Sequence, residues 1–289
     1  MESNTCPNCG STNINGNKCD QCGSDLTIDK NKNDGGKDNS FTENENFSPE
    51  KAAINDNVLD GKNETGENVK LAGGQPSTDG NAYEGDFVDG YRTGKGKLLY
   101  SNGDVYEGDF LENKRTGKGK YTWVSGNVYE GDFLDGKLTG KGKLAWPSGN
   151  VYEGDFIDGK RTGKGKYTWV SGNVYDGEFL DGKLTGKGKL TYPNGDAYEG
   201  DFKDDKRTGQ GKYTWPSGNV YEGGFIEGVR TGKGKLTYPN GAVYEGDFKD
   251  DKRTGQGKLI WPSGNVYEGD FIDGKMTGKG KLTYSNTDD

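Results

Sequence analysis

The residues best suited to chemistry in this sequence are its four cysteines, which lie close together near the N-terminus. Cys6 and Cys9 form one Cys-x-x-Cys pair, and Cys19 and Cys22 form a second pair nine residues later. A glycine follows each pair and permits the tight turn that points backbone N–H groups at sulfur. Two such pairs can place four thiolates around one tetrahedral Zn²⁺ ion. The spacing therefore predicts a zinc site.

A redox-active or disulfide-bonded pair of Cys-x-x-Cys motifs is the alternative interpretation of these cysteines. It would require an oxidising compartment, and no other feature of the sequence indicates one. Because four protein ligands leave no open coordination position, we expect the metal to fold residues 5–26 rather than to perform chemistry.

Other catalytic groups are scarce or repeated. The chain contains no histidine, which excludes Ser-His-Asp and Cys-His catalysis and imidazole metal ligands. Carboxylates are plentiful in residues 83–289, but each occupies a position that recurs along the chain. A catalytic pair needs one environment that differs from its neighbours. We therefore predict that the protein is not an enzyme.

A 23-residue unit repeats without interruption to the end of the chain. Its first residue is tyrosine, at positions 83, 106, 129, 152, 175, 198, 221, 244 and 267. A fixed period of this length is typical of stacked repeat arrays. Such an array presents one small surface many times, which suits binding or spacing better than catalysis.

Side chains alternate with period two inside each unit, which predicts strands. Tyr152, Gly154 and Phe156 share one face of the first strand, and Glu153 and Asp155 share the other. In the second strand, residues 163–169, glycine and aromatic residues face one side and lysines face the other. Each unit is therefore predicted to be one antiparallel β-hairpin, and the nine units give about 18 strands, at two strands per hairpin.

Glycine inside a strand indicates that another group approaches closely. We expect a tyrosine or phenylalanine ring to lie over Gly154 and over both glycines of the Gly163-Lys164-Gly165 segment, and over their equivalents in the other units. The turn position three residues after the strand's phenylalanine supports the hairpin, because only residues that tolerate positive φ occur there. These turn residues are Gly90, Asn113, Gly136, Gly159, Gly182, Asp205, Gly228, Asp251 and Gly274.

The pattern Tyr-Glu-Gly-Asp-Phe-x-Asp-Gly-Lys-x-Thr-Gly-Lys-Gly-Lys resembles the MORN repeat (membrane occupation and recognition nexus) over residues 83–289. The resemblance implies an all-β fold, an elongated, twisted single-layer antiparallel sheet of repeated hairpins. It also implies a role in scaffolding, protein interaction, dimerisation or association with membrane phospholipid. The cysteine segment, residues 5–26, resembles a bacterial-type zinc ribbon.

Charge divides the chain into two parts. Residues 1–82 contain 14 acidic and seven basic residues, whereas residues 83–289 contain 32 and 31. Residues 27–77 are polar and aperiodic, which predicts a disordered acidic linker before a repeat array at 78–289. Neither part has the basic excess of a nucleic-acid-binding protein. No secretory signal or long apolar run is evident, so we expect a cytoplasmic protein, with peripheral association at the inner face of a membrane as the alternative.

An aromatic residue follows the second strand of each unit and defines a candidate binding stripe. Its members, called the aromatic stripe below, are Tyr100, Trp123, Trp146, Trp169, Tyr192, Trp215, Tyr238 and Trp261, with Tyr284 in the last copy. These rings could form the array's own core. They could also leave an exposed apolar strip for a protein partner or for a second copy of the chain.

Basic segments such as 160–166 offer a second candidate surface. Aligned side by side they could contact anionic phospholipid, at about 1 kcal/mol for each basic residue near the membrane. The alternative is that their lysines neutralise the acidic residues on the same face, which the balanced charge of the array favours. The sequence thus predicts a non-enzymatic scaffold with one structural Zn²⁺, and phospholipid binding is the alternative function.

Overall fold

The computed structural model describes residues 80–285 of the 289-residue chain, together with the backbone of Ile14–Asn15 and Lys18–Cys19. These two short segments, β1 (Ile14–Asn15) and β2 (Lys18–Cys19), pair antiparallel with Ile14 opposite Cys19. The predicted linker at 27–77, the other three cysteines and the cysteine side chains lie outside the described residues. The boundaries predicted for the zinc ribbon and linker therefore remain predictions.

Residues 80–285 consist of strands and turns, as the sequence predicted, and this part of the chain contains 18 antiparallel strands and no helix. They belong to two compact units that meet in the sequence between Gly186 and Lys187. Within each unit, strands that are adjacent in sequence are adjacent in the sheet. The N-terminal unit, residues 80–186, contains β3 Ala82–Val88, β4 Tyr91–Leu99, β5 Val105–Leu111, β6 Lys114–Thr122, β7 Val128–Leu134, β8 Lys137–Ala145, β9 Val151–Ile157, β10 Lys160–Thr168 and β11 Val174–Leu180.

The strand β12 (Lys183–Thr191) spans the sequence boundary between the units. The C-terminal unit, residues 187–285, then contains β13 Ala197–Lys203, β14 Lys206–Thr214, β15 Val220–Ile226, β16 Val229–Thr237, β17 Val243–Lys249, β18 Lys252–Ile260, β19 Val266–Ile272 and β20 Lys275–Thr283.

Two-residue turns join the strands of each hairpin. In the β5–β6 hairpin both turn residues have positive φ, 47° at Glu112 and 68° at Asn113. Two consecutive left-handed residues are typical of the type I′ turn, whose twist matches that of the strands. The sequence predicted positive φ at the second position. The structure shows it also at the first, where aspartate or glutamate stands in every unit.

Successive units are joined by a wider turn. Between β6 and β7 the Gly126 N–H donates to the Trp123 carbonyl at 2.8 Å, and the Trp123 N–H donates to the Asn127 carbonyl at 3.0 Å. Gly126 has φ of 87°, a conformation that glycine adopts without steric cost. The turn thereby places the aromatic stripe residue at the end of the second strand.

The register confirms the two predicted faces. Across β5, β6 and β7, Tyr106 lies opposite Tyr121, which lies opposite Tyr129. On the other face of the same strands, Glu107 lies opposite Lys120, which lies opposite Glu130. One face therefore carries the rings and the other the alternating charges.

The tyrosine that begins each unit is the centre of the core. Tyr106 has no exposed surface, and its ring meets Phe110 and Phe133 edge-on at 5.1 and 5.0 Å. A Cβ added at Gly108 or Gly119 would lie 2.5 Å from the tyrosine hydroxyl. The prediction that these glycines make room for a ring is confirmed.

The first glycine of the Gly-Lys-Gly segment has a different role, and the prediction for it was wrong. In the β5–β6 pair the register passes from Gly108–Gly119 to Asp109–Thr116, so Gly117 and Lys118 form a β-bulge. Gly117 has φ of 55°, and a Cβ there would lie 2.6 Å from the Asp109 carboxylate. That glycine is needed for the bulge and for the aspartate; Gly163 occupies the same position in β10, with φ of 55°.

Candidate interaction surface

The aromatic stripe is only partly accessible. Trp123 and Trp261 are buried, with 7% and 5% of their surface exposed. Six members are half-buried: Tyr100, Trp146, Trp169, Tyr192, Trp215 and Tyr238. Tyr284, in the last unit, is exposed. The stripe therefore contributes to the core and still presents the edges of several rings to solvent.

In three of the nine repeats, a tyrosine of the second strand packs against the stripe. Tyr121 lies 4.6 Å from Trp123 and 5.8 Å from Tyr100, measured between ring centroids. Tyr121 thus fills the space between two consecutive stripe residues. Its hydroxyl donates to Oδ2 of Asp104 at 2.8 Å, an acceptor supplied by the turn of the preceding unit. The same packing occurs at Tyr167 with Trp169 and at Tyr213 with Trp215, at 4.5 and 4.6 Å.

Buried arginines complete this aromatic layer. Only 3% of Arg115 is exposed, and its guanidinium lies 5.0 Å from the Tyr121 ring and 5.8 Å from the Tyr106 ring. It also donates to the Gly136 carbonyl in the turn of the next unit. A guanidinium stacked on aromatic faces and hydrogen-bonded to a carbonyl links one unit to the next.

These arginines were not predicted as part of the aromatic face. The sequence interpretation grouped Arg161 with the lysines of segment 160–166, but Arg161 packs over Trp146, Tyr152 and Tyr167. The residues at the same position in other repeats could have indicated that Arg161 lies on the aromatic face. Leu138, Leu184 and Met276 occupy the same position in other units, and such residues are typical of a buried site.

The opposite face is a lattice of ion pairs between neighbouring units. Lys95 pairs with Asp109 at 2.6 Å, and Lys118 pairs with Asp132 at 2.6 Å. Lys120 pairs with Glu130 at 2.8 Å in a second row. These contacts agree with the interpretation that lysines neutralise acidic residues on the same face, and each such exposed pair contributes little to stability.

The aspartates of this face also stabilise the bulge. Oδ2 of Asp109 accepts a hydrogen bond from the Lys118 N–H at 3.0 Å. The hydrogen bond from Lys95, together with that backbone N–H, holds the pKa of the Asp109 carboxyl below its usual range. A carboxylate held in its ionised form is unsuited to exchange protons near neutral pH.

Within residues 80–285, no group of three or more acidic or cysteine side chains is arranged to hold a metal ion. The described part of the chain contains no helix that is long and apolar enough to cross a bilayer. Cys6, Cys9, Cys19 and Cys22, the predicted zinc ligands, cannot be placed relative to one another because their side chains are outside the described part.

The family model of the MORN repeat matches nine consecutive segments: 83–105, 106–128, 129–151, 152–174, 175–197, 198–220, 221–243, 244–266 and 267–288. The chain therefore belongs to the MORN repeat family. No curated protein matches its sequence significantly.

Several solved structures, including the following two, show weak similarity to this chain. The wild-type TCP10 domain of Danio rerio CPAP is 16% identical, with 68% of this chain and 93% of that chain covered and a TM-score of 0.41. The SAS-4 (dCPAP) TCP domain of Drosophila melanogaster, in complex with a proline-rich motif of Ana2 (dSTIL), is 13% identical, covering 61% of this chain and 89% of that chain with a TM-score of 0.36.

Proposed function

We propose that this MORN repeat protein is a non-enzymatic scaffold that binds protein partners through its repeat array. The observation that supports this function most directly is that different residue types of each repeat build the sheet and form its accessible surface. Tyrosine, phenylalanine, glycine and arginine build the sheet, and what remains accessible is a set of ring edges and ion pairs presented repeatedly. A surface of this kind is suited to recognition.

The electrostatics agree with a binding role. Asp109, Asp132 and Asp201 all have pKa values lowered by a hydrogen bond from a lysine of the preceding unit. Burial raises the pKa of Tyr221 and Tyr244 to about 12. Groups shifted in these directions keep one charge state around neutral pH, whereas acid–base catalysis favours a pKa near the working pH.

Vesicle flotation across salt concentrations, combined with light scattering, tests the scaffold against the phospholipid alternative. The full chain should stay unbound to both neutral and anionic vesicles, because its lysines are largely paired with carboxylates. It should form a defined complex with a purified partner or with itself. Flotation with anionic vesicles that disappears at high salt would instead establish a peripheral phospholipid-binding protein.

We also propose that Cys6, Cys9, Cys19 and Cys22 hold one structural Zn²⁺. Four thiols in two Cys-x-x-Cys pairs form a donor set that fits tetrahedral zinc and leaves no position for a substrate. Elemental analysis of the full chain should find one zinc per molecule, and the double variant Cys6→Ser/Cys22→Ser should lose it. Metal-free protein with two disulfides after non-reducing purification would contradict the zinc assignment.

A further inference from the structure

The first strand of the array, β3, carries a ring that is exposed although its equivalents in the later repeats are buried. Phe87 is 46% exposed, whereas the eight later phenylalanines at this position are 1–3% exposed. A later phenylalanine packs edge-on against the tyrosine of the preceding repeat, as Phe133 does against Tyr106 at 5.0 Å. The family match begins with residues 83–105, so Phe87 has no preceding repeat to supply that tyrosine. Its exposure therefore marks an uncovered edge of β3.

The last described strand, β20, leaves the complementary position uncovered. Leu282 is 43% exposed, whereas Leu259, one repeat earlier, is 3% exposed. Leu259 lies opposite Tyr267, the first residue of the next repeat, in the β18–β19 pair. The described part of the chain has no strand after β20 that could cover Leu282 in the same way. The edge of β20 therefore presents the surface that the first strand of a following repeat would cover.

The β18–β19 pair supplies the register in which β20 and β3 could meet. Leu259 lies opposite Tyr267 there, and Gly257 lies opposite Gly269. Both edges carry the same residue types at the matching positions. The equivalent pairs between β20 and β3 are Leu282–Tyr83, Gly280–Gly85 and Gly278–Phe87.

Charges on the opposite face are complementary between these two edges. Inside the array, a lysine of the second strand pairs with a carboxylate of the next repeat, as Lys95 does with Asp109 at 2.6 Å. Lys120 pairs with Glu130 at 2.8 Å in the second row. The equivalent pairs between β20 and β3 are Lys279–Asp86 and Lys281–Glu84.

Pairing of like edges would bring like charges together. Two copies of β3 would place acidic residues on the same face beside each other, and two copies of β20 would do the same with lysines. Like charges on directly opposite strand positions are destabilising. The charges therefore favour pairing of β20 with β3 over pairing of either edge with itself.

We propose that β20 of one molecule pairs antiparallel with β3 of a second copy of this chain. Phe87 would then lie against Tyr267 of the neighbouring molecule, and the lysines of β20 would pair with Asp86 and Glu84. An uncovered edge strand presents unpaired backbone N–H and C=O groups that a further strand satisfies. Repeat arrays that remain soluble and separate end in repeats with a polar outer face, which the exposed Phe87 and Leu282 do not provide.

This contact joins two different surfaces, so it does not close on itself. A heterologous contact of this kind produces open, end-to-end chains of molecules rather than a closed dimer. The inference goes beyond the proposed function, because a scaffold and a phospholipid-binding protein could both assemble in this way.

Light scattering of the full chain over a concentration series provides the first test. The average mass of the native protein should rise at least twofold above that of one molecule. Phe87→Asp should keep the mass of one molecule, because a carboxylate would have to be buried between the copies. Native protein with the mass of one molecule throughout the series would overturn the proposal.

Val88→Asp is the matched control for Phe87→Asp. Val88 is the adjacent residue and is 55% exposed. Its equivalents Leu111 and Leu134 stay exposed inside the array, so a second copy should not cover it. This variant should assemble like the native protein, and equal assembly of the two variants would overturn the assigned contact.

Mixing two blocked variants tests which edges meet. Phe87→Asp keeps an intact β20, and Leu282→Asp keeps an intact β3, so each variant alone should remain a single molecule. An equimolar mixture should form a complex with twice the mass of one molecule and nothing larger, because its outer edges are both blocked. Dimerisation of either variant alone, or a mixture that stays at the mass of one molecule, would contradict pairing of β20 with β3.

Thermal melts separate a second copy from other ways of covering β3. Because Phe87 and Leu282 are exposed in the single chain, both variants should be folded and should melt close to the native protein at low concentration. A native protein that never assembles, and whose Tm falls in Phe87→Asp but not in Val88→Asp, would show that another segment of the same chain covers β3. That result would overturn the proposal.

End-to-end assembly and the scaffold function fail separately. If the native protein stays at the mass of one molecule but binds a purified protein partner, the assembly is wrong and the scaffold function stands. If the native protein assembles as predicted but binds anionic vesicles and no other protein, the assembly stands and the scaffold function is wrong.

Discussion

The hydroxyl of Tyr106 donates to the carbonyl of Asp109 at 2.9 Å, three residues along the same chain. The Thr116 carbonyl, opposite Asp109 at the β-bulge, lies 3.3 Å from the same hydroxyl. The tyrosine-to-carbonyl contact recurs in all nine units. Each unit therefore uses the polar end of its central ring to satisfy the backbone at its bulge, while the ring itself packs over glycine.

Removing this hydroxyl should destabilise the N-terminal compact unit, residues 80–186. Tyr106→Phe keeps the ring but leaves the buried carbonyl at the bulge without its donor, which should cost about 1 kcal/mol in the free energy of unfolding. Urea denaturation measures the change. Tyr284→Phe, at an exposed tyrosine of the last unit, serves as the control and should fall within about 0.5 kcal/mol of the native protein. Equal effects of the two substitutions would show that the contact contributes nothing.

Arg115 should tolerate leucine better than lysine. Leucine already occupies the equivalent position at Leu138 and Leu184, so Arg115→Leu should cost about 1 kcal/mol, as other conservative buried substitutions do. Arg115→Lys replaces the planar guanidinium with a compact buried ammonium, which cannot both stack on the rings and donate to the Gly136 carbonyl. This substitution should cost about 2–3 kcal/mol. Denaturant unfolding of both variants compares them directly, and the reverse order of stability would contradict a stacked guanidinium.

Stability should fall steeply in alkali. Burial raises the pKa of Tyr83, Tyr221 and Tyr244 to about 12 in the folded protein, whereas an unfolded tyrosine titrates near 10. The folded state therefore holds these protons more tightly. The contribution of the three neutral tyrosines to folding stability is complete below about pH 10 and is lost as the pH rises through about 12. Thermal melts should show a Tm that decreases over this interval, with tyrosinate absorbance rising on unfolding. A folded protein whose tyrosines all ionise near pH 10 would contradict their burial.

Acid should weaken the ion-pair face. A hydrogen bond from Lys118 lowers the pKa of Asp132 in the folded state. The contribution of the ionised Asp132 to folding stability is therefore present above the unfolded pKa of about 3.9 and is lost as the pH falls through the lowered value. Asp132→Asn should lower the Tm at pH 7 and reduce the loss of stability between about pH 5 and pH 2, a range that spans these values. Asp135→Asn is the control, since this exposed turn residue pairs only with Lys114 at 3.2 Å. The idea fails if both variants show the same pH dependence.

The hairpins were predictable from the sequence because their determinants are local. The period of 23 residues, the two-residue alternation and the turn residues such as Asn113 together specify strands and turns. The bulge at Gly117 was not predictable in the same way. Period-two alternation assigns Gly117 and Gly119 to one face, and only the cross-strand register shows that the pairing skips two residues.

The candidate surface was less predictable, because burial depends on neighbours outside the unit. Trp123 and Trp215 occupy equivalent positions, yet Trp123 is buried and Trp215 is half-buried. Arg161 was interpreted from its charge, whereas Leu184 at the same position of the next repeat indicates the apolar surroundings in which it lies. The zinc ligands remain a prediction from spacing.

Native-state hydrogen exchange of Gly119→Ala tests most directly the central claim that rings seated on glycine hold neighbouring units together. The added Cβ would lie 2.5 Å from the Tyr106 ring, so exchange of the amides in β5, β6 and β7 should accelerate by at least tenfold. The amides of β17–β19 should be unaffected, because repeat units are stabilised by their nearest neighbours. Leu111→Ala, at an exposed residue of β5, should leave both regions protected. Full protection of β5–β7 in Gly119→Ala would contradict the account.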